Sequence, residues 1–378
     1  MSIYLDNAAT TQLDREVFDE MTPYLLNNFG NPSSLHGHGR IVKKAVEAAR
    51  RTIADHLNAS PNEIIFTSGG TEADNTAILS GIRSHGIKHV ITTALEHHAV
   101  LHLLELLEKN GEIKLSFIKH DERGSLDVNH LDDLLRYNSR SLVSVMHANN
   151  EIGNLNNIQL IGEICKSRGA LFHSDTVQTM GHYRHDLSKL KIHFLAASAH
   201  KFHGPKGVGF LYHRNGVELT QLLHGGGQER KLRAGTENIH GIVGLAKALE
   251  IAYRDIDQHH VYIQTLKNRM ITKLREQISD VEFNGNSAVA NHSLYTVLSV
   301  SLPNFDIAGG LLHYLDQNNI SVSGGSACSA GSSSHVLTAL KANPLRTTVR
   351  FSFSRFNTSA EIDHAVEKLS ELYKAVAA

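Results

Sequence analysis

"IHFLAASAHKFHGPKGVGFLYH", residues 192–213, decides how this chain folds. A largely apolar run, Ile192 to Ala197, surfaces into Ser198, His200, Lys201 and His203, turns through Gly204, Pro205 and Gly207, and dives again as a second run. Only eight residues separate the runs, too few for a crossover helix, so the pair is expected to be antiparallel. A lone lysine is ordinarily a solvated surface charge. Lys201 differs because an apolar strand delivers it to a strand mouth beside Ser198 and His200.

Working outward, the same short apolar runs recur: "EIIFT" (63–67), "KHVITT" (88–93), "IKLSFI" (113–118), "SLVSVMH" (141–147) and "ALFHS" (170–174). Most are separated by helical patterns, such as "REVFDEMTPYLLNN" (15–28) and "RIVKKAVEAARRTIADHL" (40–57), where Val42, Val46, Ala49, Ile53 and Leu57 recur at helical spacing. Alternation of this kind predicts an α/β fold, a mostly parallel sheet covered by helices on both faces. After a long helix, "TENIHGIVGLAKALEIAYRDI" (236–256), the rhythm changes. "YTVLSVSL" (295–302), "NISVS" (319–323) and "TTVRFSFS" (347–354) suit a smaller sheet, and Thr358 with Glu361 opens a final helix as a capping box. The expected division is a large domain over 13–256 and a smaller α+β domain built from 1–12 and 257–378.

Composition narrows the function classes. The chain has 378 residues, 41% apolar and 20% charged, as in an ordinary globular protein with a sizeable core. Lys plus Arg (37) nearly balances Asp plus Glu (38), so nothing points to nucleic acid or an anionic membrane surface. There is no apolar run of transmembrane length, and "MSIYLDNAATT" lacks the layout of a signal peptide, so the cytoplasm is the expected location. Two cysteines, Cys165 and Cys328, cannot build a disulfide framework, and the 26 histidines are scattered without metal spacing, so no metal site is expected.

In an open parallel sheet, ligands bind beyond the carboxyl ends of the strands. "FTSGGTEADN" (66–75) leaves a strand and opens a helix with Gly69, Gly70 and Thr71, where free N–H groups and the helix dipole suit a phosphate. His97 and His98 follow a second strand, Asn149, Asn150 and Glu151 a third, and Asp175 with Gln178 a fourth. Each taken singly reads as a cap or loop residue. Together they suit one heterocyclic, phosphorylated ligand. A desolvated Lys201 loses part of its preference for the charged form and can condense with an aldehyde. Phosphate site, carboxylate and lysine together describe pyridoxal phosphate.

The sequence resembles the cysteine desulfurases of the NifS/IscS type, within the fold-type-I pyridoxal-phosphate enzymes. "YLDNAATT", "NPSSLHGHGR", "FTSGGTEADN", "EHHAV", "HANNEIG", "HSDTVQ", "SAHKFHGPKG", "RAGTEN", "SGGSACSAGS" and "RFSFSRF" occur in that family's order, nearly end to end. The resemblance implies that Lys201 holds the cofactor covalently and that Asp175 pairs with its ring nitrogen. His97 stacks on the ring and takes part in proton transfer. Gln178 and Asn150 lie near the ring hydroxyl, Asn150 also near the substrate carboxylate. Gly70, Thr71, Ser198 and His200 bind the phosphate. Thr236 reaches the phosphate bound in the other subunit of a homodimer with shared sites, and Arg350 clamps the carboxylate of L-cysteine. Cys328, in a Gly/Ser-rich stretch read as a mobile loop over about 323–335, takes the sulfur as a persulfide and passes it to an acceptor protein, an iron–sulfur scaffold or a tRNA-thiolation protein. Cys165, inside a helical pattern, reads as a buried small hydrophobe.

Three departures bear on this. The cysteine stretch reads "SGGSACSAG" where "SSGSACTS" is commoner, Thr176 follows Asp175 where alanine is usual, and the chain stops at "ELYKAVAA" without the extension that housekeeping members use to dock a scaffold. The rival readings are a selenocysteine lyase or another fold-type-I enzyme such as an aminotransferase, and a non-catalytic sulfur-relay subunit. Degenerate relatives of the last kind would lose the lysine, the aspartate or the cysteine, and all three remain.

Overall fold

The structure is a computed structural model, and it describes residues 2–138, 140–304, 309–324 and 334–377. Its strands in chain order are β1 (Ile3–Tyr4), β2 (Ile64–Thr67), β3 (His89–Thr92), β4 (Lys114–Phe117), β5 (Ser141–Ser144) and β6 (Leu171–Asp175). They continue as β7 (Phe194–Ser198), β8 (Gly209–His213), β9 (Glu282–Phe283), β10 (Val297–Pro303), β11 (Ile320–Ser321) and β12 (Arg346–Ser352).

Seven strands form one sheet in the order β2-β8-β7-β6-β5-β3-β4. The pairs β7–β6, β6–β5, β5–β3 and β3–β4 are parallel, while β8 runs antiparallel to both β7 and β2. The short 192–213 connection thus gives the antiparallel pair that its length demands, with Phe194 opposite His213 and Ser198 opposite Gly209. Strands β2, β3, β5 and β7 are buried on both faces, which is why they read as continuous apolar runs. Helices supply the cover. In Gly37–His56 the periodic Val42, Val46, Ala49 and Ile53 are all buried, the last three in the core formed with the sheet.

A second core gathers on a three-stranded antiparallel sheet, β12-β10-β9, packed by the helices Ile256–Gln277 and Ser359–Ala377. The last helix opens on the expected capping box: the Thr358 N–H donates to Glu361 and the Glu361 N–H to the Thr358 hydroxyl. The helix Ile256–Gln277 is absent from the sequence reading. Ile263, Leu266, Met270 and Leu274 do recur along its buried side, but Lys267 lies among them, 1% exposed, and interrupts the apolar stripe. Its Nζ donates to the Ser293 hydroxyl at 2.9 Å and the Leu294 carbonyl at 2.8 Å, and burial lowers its pKa to about 7.

The N-terminal stretch stitches the two sheets together. Asn7 donates to the Ser352 carbonyl at 2.8 Å, and Thr11 donates through both N–H and hydroxyl to the His200 carbonyl.

Candidate active site

Each strand of the main sheet that ends at the same edge releases a polar residue there. Asp175 is the last residue of β6 and Ser198 the last of β7, followed by a single 3-10 turn, Ala199–Lys201. Gly70 opens the helix Gly70–Arg83 three residues past β2. His97 caps the helix His98–Lys109 beyond β3, and Asn150 lies in the turn beyond β5. Arg350 comes from elsewhere, the interior of β12 on the small sheet.

These residues line one cavity of about 190 Å³: Gly70, Thr71, His97, Asn150, Asp175, Gln178, Ser198, His200, Lys201 and Arg350, together with Ala8, Ala9, Asp74, Met146 and Val177. Two of the expected site residues are not among them. Thr236 lines a separate hollow with Ser68, Gly207 and Arg233. Cys328, with most of the 323–335 stretch, lies outside the described residues. Cys165 is fully buried in the helix Ile158–Arg168, and burial pushes its thiol up to about 12, so it is inert packing.

The Lys201 ammonium donates to the carbonyls of Ala8 at 2.7 Å and Ala9 at 2.8 Å, which aims the side chain across the cavity floor. Asp175 is 6% exposed. Burial pushes its carboxyl up to about 6, against the pull of the Val177 N–H, which donates to it at 2.8 Å, and of the Lys201 charge. Gln178 donates to the Ala8 carbonyl at 3.0 Å. His97 accepts the Ala99 N–H on Nδ1 at 3.1 Å, so its neutral ring carries the proton on Nε2. Burial, with Lys201 adding to it, lowers His97 to about 4. Arg350 is fully buried. It donates through Nη1 to the Asn150 carbonyl at 2.9 Å and through Nη2 to Asp6 at 2.8 Å, and its buried Nε–H has no partner among the described residues.

Sequence reasoning missed Asp74, one turn along the helix from Thr71, and the two alanine carbonyls. Asp74 is 1% exposed, and burial together with Asp175 and Glu96 raises its carboxyl well above the usual range. Glu96 beneath it is likewise pushed by burial up to about 8, although it accepts the Met146 N–H at 2.9 Å. Asp74 was legible only as the buried side of a helix whose exposed residues carried the motif.

Pyridoxal phosphate fits what is present. A buried carboxylate faces the cavity where a ring nitrogen would carry positive charge. A lysine amine stands on the same floor. The glycine at the helix start is also required sterically, since a Cβ on Gly70 would stand 2.6 Å from Val177 Cγ2. That leaves backbone N–H groups uncovered for an anion. Among the described residues no group of three or more His, Cys, Asp or Glu side chains is arranged to hold a metal ion, and no helix is long and apolar enough to cross a membrane.

Comparison with known proteins gives the same picture. The profile of the family described as aminotransferase class-V matches residues 3–365. The chain is 43% identical to cysteine desulfurase IscS of Clostridium botulinum over 98% of its own length and 94% of that protein's. It is 42% identical to the putative cysteine desulfurase IscS 1 of Bacillus subtilis, covering 98% of both. Among solved structures, a NifS-like protein superposes with a TM-score of 0.91 at 35% identity, covering 99% of this chain and all of the other. The chain therefore belongs to the class-V aminotransferase family, as one of its cysteine desulfurases.

Proposed function

We propose the following division of labour for a pyridoxal-phosphate-dependent cysteine desulfurase acting on L-cysteine. When bound, the cofactor supplies an electron sink for the bonds at the substrate's α-carbon. Gly70, Thr71, Ser198 and His200 hold its phosphate, with Thr236 reaching across from the other subunit of a homodimer. Asp175 keeps a proton and positive charge at the ring nitrogen, and Gln178 and Asn150 address the ring hydroxyl. Lys201 anchors the cofactor at rest. Once displaced by substrate, its Nζ takes the α-proton and returns one to carbon. His97 stacks on the ring as a hydrogen-bond donor through Nε2–H. Its imidazolium is disfavoured by burial and by the capping bond on Nδ1, which leaves Lys201 the better proton carrier. Arg350 orients the substrate carboxylate.

The Cys328 thiolate attacks the substrate sulfur. A sulfur–sulfur bond forms, the carbon–sulfur bond breaks with its electron pair going to carbon, and protonation there gives L-alanine. The persulfide then passes its outer sulfur to an acceptor protein in the cytoplasm, for iron–sulfur cluster or thiolated-tRNA synthesis. The residues 1–12 and 257–378 act as the small domain carrying this cysteine, against the cofactor-binding unit 13–256.

The observation that supports this most is the meeting of Lys201, Asp175 and Arg350 in one cavity, an amine, a carboxylate and a carboxylate clamp for a single amino acid. The test is Cys328→Ala. Alanine release from L-cysteine is expected to stop while the visible cofactor band persists. Undiminished turnover in that variant would exclude a persulfide at this position.

A further inference from the structure

The turn that carries Lys201 is held at each of its carbonyls. Ala199 accepts the N–H groups of Phe202 at 3.1 Å and Gly204 at 2.9 Å, and His200 accepts Thr11. The Lys201 carbonyl lies 3.2 Å from Nε2 of His182, a residue that none of the motifs above includes. A carbonyl only accepts, so Nε2 carries the hydrogen. Burial lowers His182 to about 4, so the ring is neutral and Nδ1 is an acceptor. The Tyr295 hydroxyl stands 3.0 Å from that Nδ1 and 3.2 Å from the His182 carbonyl. Its one proton can serve either acceptor, and both belong to the same residue.

Tyr295 is itself fixed. It is 1% exposed, the His260 ring stacks on it at 4.4 Å and 18°, and it belongs to the second core. It lies two residues before β10, the strand on which Ser299 pairs with Arg350. One small sheet therefore reaches the cavity by two routes, directly through Arg350 and indirectly through Tyr295 and His182 to the backbone of Lys201.

We propose that His182 is a positioning residue: held by Tyr295, it fixes the Lys201 carbonyl and registers the lysine amine against the sheet that carries Arg350. This rests on the role given to Lys201 above. A shift of about 1 Å in a reacting group costs on the order of 10²-fold in rate, so a brace on the lysine's own backbone is felt in the proton-transfer steps before it is felt in substrate binding.

The test compares His182→Leu, His182→Gln and Tyr295→Phe as holoenzymes. Two rates are read: alanine formation from L-cysteine, and displacement of Lys201 from the cofactor by phenylhydrazine, followed in the visible band. Glutamine can place an amide N–H where Nε2 stands. For His182→Leu the expected result is kcat lower by roughly tenfold with KM within about twofold, and displacement altered by a similar factor. His182→Gln is expected to restore at least half of each rate, with Tyr295→Phe between the two. Equal impairment in the leucine and glutamine variants, or parental rates in both, overturns the proposal. If His182→Leu does not fold, the other two decide: displacement near parental in His182→Gln but altered in Tyr295→Phe upholds the brace, and identical displacement overturns it. A parent protein that forms no alanine counts against the desulfurase reading alone, since displacement still reports on the lysine.

Discussion

The two sheets bring charged groups to the same cavity in different ways. The seven-stranded sheet delivers Asp175, Ser198 and Lys201 at or just beyond strand ends, where the backbone turns and the next residues are loop. The three-stranded sheet delivers Arg350 from mid-strand, with Ser299 opposite on β10 and Asp6 as ion partner. Strand ends let several elements converge on one flat ligand, each adding a group of its own. A side chain rising from the middle of a ladder has less freedom, and its placement follows that of the whole sheet. The large sheet is thus suited to hold a cofactor, and the small one to set the orientation of what reacts with it.

Substitutions on each side sharpen that contrast. Lys201→Ala is expected to have the largest effect, loss of the visible band and a fall in alanine formation of roughly 10²- to 10⁴-fold, read by absorbance and by product assay. Asp175→Asn keeps the shape but not the charge opposite the ring nitrogen. Turnover should fall by on the order of 10²-fold with the melting temperature little changed. Arg350→Lys keeps the charge and removes the fork that matches a carboxylate. KM should rise by about tenfold while the band stays, because the cofactor groups belong to the other sheet. An Arg350→Lys protein that loses its cofactor would break the comparison.

A separate effect is on stability against acid. Burial lowers His173 and His203 to about 3 and His182 and His185 to about 4, and lowers His147 well below its ordinary value. All five pack with the large sheet or its loops. Below pH ~6.5 the unfolded chain binds protons that the folded chain refuses, so stability present above that pH is lost as pH falls, by up to ~1.4 kcal/mol per group per unit. Glu96 at about 8 and Asp175 at about 6 act in the opposite sense, holding protons in the fold that the unfolded chain releases, and offset part of the loss. The urea midpoint is therefore expected to fall steadily between pH 6.5 and 4, with the seven-stranded region opening first. A flat profile would show that these rings protonate without unfolding.

Much of this was legible in the residues. Every strand of the large sheet falls inside one of the apolar runs to within a residue, most plainly β2, β3, β5 and β7, where burial on both faces leaves an unbroken signature. The gathering of these residues in one cavity follows from their places at strand ends of a single sheet edge, where glycines, a carboxylate and a lysine count together although each singly suits a cap or a turn. What escaped did so for physical reasons. A buried lysine at position 267 erased the pattern of a long helix. Ala8 and Ala9 act through carbonyls, which every residue possesses, so no side chain advertises them. His182 works through a backbone atom of another residue and looked like one histidine among 26. Thr236 lines a hollow apart from the cavity within a single chain.

The stretch from Asp6 to Thr11 carries a vulnerability out of proportion to its length. Asp6 salts Arg350, Asn7 grips Ser352, Ala8 and Ala9 receive Lys201, and Thr11 clasps His200. A protease nick in this seam would loosen Arg350 and Lys201 together, and it would also cut Ile3 and Leu5 of the second core away from the rest of the chain.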